Sequence, residues 1–129
     1  MKIEAILFDL DNTLASTNKL KDIRERGAYD EITEELLSTV KPYKGTEKLL
    51  ERLISKGIKI GIVTNSSKRY AETIISHLNL PDFDTVVTYT DVGSSGMKPN
   101  PTGINLALKN LGLANPERVI YVGDDYTDI

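Results

Sequence analysis

Four short apolar runs separated by segments of helical spacing constrain the fold of this chain more than any other feature. The runs are Ile3 to Phe8, Ile58 to Val63, Thr85 to Tyr89 and Val119 to Val122. They are apolar or β-branched without strict alternation, the pattern of strands buried on both faces. Between them, Thr46 to Lys56 carries Leu49, Leu50, Leu53 and Ile54 at helical spacing, and Gly57 stops it. Ser67 to Leu78 carries Tyr70, Ala71, Ile74, Ile75 and Leu78, with Pro81 beyond. Pro101 opens a third helix that Leu108 and Leu111 continue and Gly112 ends. Strands alternating with helices predict an α/β fold, a Rossmann-like doubly wound parallel sheet with helices on both faces.

One segment breaks the rhythm. Asn18 to Val40 is an additional, highly charged helical stretch in which Tyr29, Ile32, Leu36 and Val40 form one apolar stripe. Gly27 is placed to divide it in two. The spacing predicts a small helical cap over about 18–40 within a single domain spanning residues 1–129. Its charges read as a solvated face, and His77, the one histidine, as a packing or surface residue.

A net charge of −3 argues against a nucleic-acid binder that relies on a basic face. The absence of cysteine excludes disulfides and thiolate metal sites. The first apolar run is interrupted by Glu4 and Asp9 and is too short for a signal peptide or a membrane span. The reading is a cytoplasmic protein with neither nucleic acid nor membrane as partner.

In open parallel sheets, ligands bind beyond the carboxyl ends of the strands. The first run leads into Asp9-Leu10-Asp11-Asn12-Thr13, the second into Thr64-Asn65, and the fourth into Gly123-Asp124-Asp125-Tyr126-Thr127-Asp128. Met97-Lys98-Pro99 lies in the loop entering the Pro101 helix. Asp9 and Asp11, two residues apart, are expected to point to one side. Several carboxylates at one point call for a hard cation. A lysine and a threonine beside them call for an anion. Phosphate with Mg²⁺ meets both demands. Asp9 is then a nucleophile that forms an aspartyl-phosphate. Asp11 is the general acid and base. Thr64, Asn65 and Lys98 bind phosphate. Asp9, the Leu10 carbonyl, Asp11, Asp124 and Asp128 are the candidate metal ligands. Ser94-Ser95-Gly96 lacks the phosphate-loop pattern and reads as a flexible loop.

With these residues in view, the chain resembles the haloacid-dehalogenase-like superfamily of phosphohydrolases. Asp9-Leu10-Asp11-Asn12-Thr13, Thr64, Lys98 and Gly123 to Asp128 match its four motifs in order. The resemblance implies an Mg²⁺-dependent phosphatase acting on a small phosphate monoester. Members that dehalogenate lack the second carboxylate of the first motif, so Asp11 points to phosphate chemistry. The resemblance also implies a sheet whose first strand lies between the second and the fourth, with a fifth strand beyond the fourth. That fifth strand is expected to be missing here, which leaves an exposed sheet edge open to self-association. Fifty-five positions separate Asp9 from Thr64, room for only a small cap, so the site is expected to be open.

Two other classes compete. A receiver-like phosphotransfer domain also uses aspartates, Thr, Lys and Mg²⁺, but its acidic pair comes early and its Thr and Lys late; here the second acidic cluster follows Lys98. A non-catalytic phosphate-binding module could dispense with Asp9 or Asp11, and both are present.

Overall fold

The computed structural model describes residues 2–124. Its centre is a parallel sheet of β1 (Ala5–Phe8), β2 (Lys59–Val63), β3 (Thr85–Val87) and β4 (Val119–Val122), in the order β3-β2-β1-β4. The register sets Ile6 beside Ile60 and Ile120, and Phe8 beside Ile62 and Val122. The first strand therefore lies between the second and the fourth, as expected. β4 forms one edge of this sheet, with Ile120 and Val122 exposed.

Alternate residues of β1 feed two apolar layers, as the strand period requires. Ala5 and Leu7 pack with Val63, Val87, Ala107 and Leu111, which brings helix α6 (Thr102–Leu111) onto one face. Phe8, Ile60 and Ile62 pack on the other face with Leu50 and Leu53 of α3 (Thr46–Ser55). Tyr70, Ala71 and Ile74 of α4 (Lys68–Leu78) join that layer. Helices on both faces make the sheet doubly wound. Gly61 of β2 is required by close packing. A Cβ there would lie 2.7 Å from the Thr85 side chain and 2.8 Å from that of Leu7.

The 18–40 segment folds into short helical pieces. A 3₁₀ turn at Asn18–Leu20 runs into α1 (Lys21–Arg26), which Gly27 ends in the left-handed conformation at φ 67°. A second turn at Tyr29–Glu31 and α2 (Glu34–Leu37) follow. Gly27 divides the segment as its sequence suggests. The apolar stripe turns inward: Val40 is buried, and Tyr29, Ile32 and Leu36 pack against the α3–α4 layer. His77 Nε2 lies 2.8 Å from the Val40 carbonyl and ties α4 to the end of this segment.

Two expectations need correction. The third strand stops at Val87, because Thr88 caps a short helix, α5 (Tyr89–Val92), through a reciprocal pairing with Asp91. Ser94-Ser95-Gly96 is a 3₁₀ turn rather than an irregular loop. Its Gly96 is buried, and a Cβ there would lie 2.7 Å from Val92.

Candidate active site

The carboxyl ends of β1, β2 and β4 open on one cleft of about 820 Å³. Asp9, Asp11, Thr64, Asn65, Lys98 and Asp124 all line it. Asp9 follows β1 directly, and its N–H donates to the Val122 carbonyl at 2.9 Å, which fixes it to the neighbouring strand. Asp11 reaches the same cleft through a turn rather than through strand pleating. Asn12 takes the left-handed conformation at φ 58°, which asparagine tolerates, and its N–H donates to the Ala15 carbonyl at 2.8 Å.

Lys98 sits where its charge can serve both Asp9 and an incoming anion. Its Nζ is 3.3 Å from Asp9 Oδ1, with the two side chains 5% and 13% exposed. It also donates to the Tyr121 hydroxyl at 2.5 Å, and that hydroxyl donates to the Val63 carbonyl at 2.8 Å. The lysine is thus braced through Tyr121 of β4 to the end of β2. Asn65 engages the backbone of the lysine. Its Oδ1 accepts from the Lys98 N–H at 2.9 Å and its Nδ2 donates to the Lys98 carbonyl at 3.4 Å. Both ends of the amide thus hold the Lys98 loop, and Asn65 also lines the cleft. Thr64 is buried, and its Oγ1 accepts from the Ser66 N–H at 3.1 Å. It remains a wall of the cleft.

Asp11 gathers four partners. Oδ1 accepts from Thr17 Oγ1 at 2.7 Å and from the Tyr70 hydroxyl at 2.7 Å, and forms an ion pair with Arg24 Nη1 at 2.8 Å. Oδ2 accepts from Ser66 Oγ at 2.9 Å. These partners engage Oδ1 more heavily than Oδ2. The Leu10 carbonyl accepts from the Leu14 N–H at 3.1 Å inside the turn, and Leu10 is fully buried. Asp128 lies outside the described residues, as does Asp125. No group of three or more carboxylate, histidine or cysteine side chains converges among the described residues. Among the described residues the carboxylates of Asp9, Asp11, Glu25 and Asp124 line the cleft and are hard oxygen donors for a cation.

Arg24 overturns the reading of the 18–40 charges as wholly solvated. It is 21% exposed and points from α1 into the cleft, its guanidinium 5.8 Å from the centre of the Tyr70 ring. Burial opposes its charge, but Asp11 and Tyr70 outweigh that and hold its pKa above the ordinary arginine value. Burial, with the Asp11 carboxylate adding to it, also pushes the Tyr70 hydroxyl well above its ordinary value, so it stays a donor. The segment is tied to α4 at further points. Ser67 Oγ donates to the Tyr29 hydroxyl at 2.8 Å, the Tyr29 and Tyr70 rings lie 6.1 Å apart, and Arg69 pairs with Asp30.

The residues that sequence reasoning missed are Thr17, Arg24, Ser66, Tyr70 and Tyr121. Tyr70 carried a faint signal. It lies in the first turn of the helix that leaves the β2 loop, where a long side chain can reach the cleft even from an apolar stripe.

Residues 20–129 match the family described as haloacid dehalogenase-like hydrolase. An N-acetylmuramic acid 6-phosphate phosphatase of Pseudomonas aeruginosa is 26% identical, the alignment covering all of this chain and 76% of the relative. Pyrophosphatase PpaX of Bacillus cereus is 30% identical over all of this chain and 78% of its own length. That alignment runs to 171 positions against the 129 residues here, so the relative carries segments this chain lacks. Among solved structures, a HAD phosphatase from Thermococcus onnurineus superposes with a TM-score of 0.76 at 25% identity, covering 98% of this chain and 79% of that one. CbbY from Rhodobacter sphaeroides, solved with phosphate, gives 0.77 at 21% identity, covering 97% and 79%. No helix among the described residues is long and apolar enough to cross a membrane.

Proposed function

The chain belongs to the haloacid dehalogenase-like hydrolase family, and from that premise we propose that it is a phosphatase acting on small phosphate monoesters through a covalent intermediate on Asp9. The observation that carries this reading is the convergence of Asp9, Asp11, Thr64, Lys98 and Asp124 on one cleft. The named activities of the relatives, on a sugar phosphate and on pyrophosphate, support a small phosphorylated substrate.

In the first step an Asp9 carboxylate oxygen attacks phosphorus. The bond from phosphorus to the ester oxygen breaks, and Asp11 protonates that leaving oxygen. In the second, Asp11 takes a proton from water, the water oxygen attacks the same phosphorus, and Asp9 is released with inorganic phosphate. Lys98 and Thr64 hold the equatorial oxygens, since phosphoryl transfer depends mainly on positioning and charge stabilisation. Lys98 also lowers the repulsion between Asp9 and an anionic phosphate. The donor set suits Mg²⁺, which is commonly held by one or two carboxylates together with substrate phosphate and water. Asp9 and Asp124 would hold it, with Asp128 a further candidate. When bound, the ion supplies positive charge that screens the nucleophile from the phosphate. The segment 18–40 acts as a small cap on one wall and leaves the cleft open to solvent. A receiver-like or purely binding role finds no support in the donors gathered on Asp11.

The test is phosphate release from a panel of monoesters with Mg²⁺ and with chelator. Asp9→Asn is expected to abolish turnover while retaining the fold, and labelled phosphate is expected on Asp9. Label trapped on another residue, or turnover unaffected by Asp9→Asn, would overturn the mechanism.

A further inference from the structure

Asp11 is held asymmetrically. Its Oδ1 accepts hydrogen bonds from Thr17 and Tyr70 and pairs with the Arg24 guanidinium, whereas Oδ2 has Ser66 alone among the described residues. An oxygen with three such partners has little capacity left for a proton. An oxygen facing one hydroxyl keeps that capacity, because the hydroxyl rotates from donor to acceptor. The asymmetry therefore selects Oδ2 as the oxygen that exchanges a proton.

The groups that create the asymmetry are built in. Tyr70 is fully buried on α4, within the apolar layer beneath the cleft. Arg24 lies over its ring from α1, and also donates to Thr17 Oγ1 at 3.4 Å. Arginine's planar fork suits such a stacked, bracketing role better than a lysine ammonium does.

We propose that Arg24 and Tyr70 are positioning residues for the proton-transfer step: they pin Oδ1 of Asp11 and thereby present Oδ2 to the leaving oxygen. Neither touches the reacting atoms. Because Arg24 belongs to the 18–40 segment, seating of that segment becomes a condition of catalysis. The proposal rests on the phosphatase reading above.

The experiment compares two esters that need the Asp11 proton to different degrees. 2,4-Dinitrophenyl phosphate has a leaving group that departs without protonation; glycerol 3-phosphate has an alkoxide that does not. kcat/KM is measured on the full chain with Mg²⁺ for wild type, Arg24→Gln, Arg24→Lys and Tyr70→Phe. For Arg24→Gln and Tyr70→Phe the value for the alkyl ester is expected to fall about 10- to 100-fold, the lower part of what general acid catalysis contributes. The ratio of aryl to alkyl kcat/KM is expected to rise at least about tenfold, and Arg24→Lys to recover part of the loss. Melting temperatures identify variants that fail to fold, and partly exposed Arg24 keeps the test open if Tyr70→Phe does. Equal losses on both esters in folded variants, or no loss on either, would overturn the proposal and leave the phosphatase reading standing. A wild type inactive on both esters would overturn the phosphatase reading, and the proposal with it.

Discussion

Replacing Asp11 with alanine is expected to destabilise the fold, although it removes one of two neighbouring carboxylates. Two effects oppose each other. Loss of Asp11 relieves its repulsion with Asp9, which is worth roughly 1 kcal/mol or less at a solvated cleft. Part of that repulsion is already offset by Lys98, 3.3 Å from Asp9. On the other side stand the donors that lose their acceptor. Tyr70 is fully buried, and a stranded buried hydroxyl costs about 1–3 kcal/mol. Arg24 loses a charged partner at 2.8 Å. A hydrogen bond to a charged group contributes about 1.5–3 kcal/mol, and the lower end applies because Arg24 can swing toward water. Thr17 and Ser66 can rotate toward other acceptors. The balance is about 1.5–3.5 kcal/mol of destabilisation for Asp11→Ala. Asp11→Asn keeps an acceptor at the Oδ1 position and lets Ser66 accept from the new amide. It loses only the charge, at a cost of about 1 kcal/mol. Urea unfolding at neutral pH measures both, the shift in midpoint multiplied by the slope giving the change in stability. An alanine variant as stable as wild type, or no difference between alanine and asparagine, would refute the reasoning.

Gly61→Ala is expected to cost about 1–3 kcal/mol by overpacking against Thr85 and Leu7; a melting temperature within a degree of wild type would show that the sheet yields. Thr13 Oγ1 is buried without a hydrogen-bond partner among the described residues, so Thr13→Val is expected to stabilise by about 1 kcal/mol in denaturant unfolding, and a loss would disprove the orphaned hydroxyl. Tyr70 has a raised pKa in the fold, so the stability it contributes is complete below its unfolded value of about 10 and is lost as pH rises from there through its folded value. Ultraviolet titration of native protein is therefore expected to leave one tyrosine protonated after the other accessible ones ionise, and Tyr70→Phe to remove that late step; an unchanged curve would place the raised group elsewhere.

What could be read from the sequence followed from two local rules. Strand runs and helix stops fixed the alternation, and the topology of a parallel sheet then placed Asp9, Thr64 and Asp124 at one edge without any knowledge of contacts. The failures began where a side chain's partner depended on tertiary packing. Thr85 to Tyr89 looked like one β-branched run, but the Thr88–Asp91 cap diverts the chain after Val87. The bonds between the Asn65 amide and the Lys98 backbone are likewise invisible in the sequence.

Arg24 is the most instructive case. It stands among Lys19, Lys21 and Arg26, and nothing in their order marks one as different. Arg26 pairs with Asp22 and Glu31 on the surface, as a solvated helix face predicts. Arg24, two residues earlier and so about 200° around the helix, follows buried Ile23 toward the core side and meets Asp11. Ile23 thus acts as the anchor that decides which charge is drawn into the cleft. An exposed residue at 23 would free α1 to rotate and would cost Arg24 its bond to Asp11 while leaving the Arg26 pairs intact. Ile23→Ser is therefore expected to lower kcat/KM on an alkyl phosphate and to raise the aryl-to-alkyl ratio in the same sense as Arg24→Gln. If Ile23→Ser leaves that ratio unchanged while Arg24→Gln shifts it, the anchor lies elsewhere in the segment.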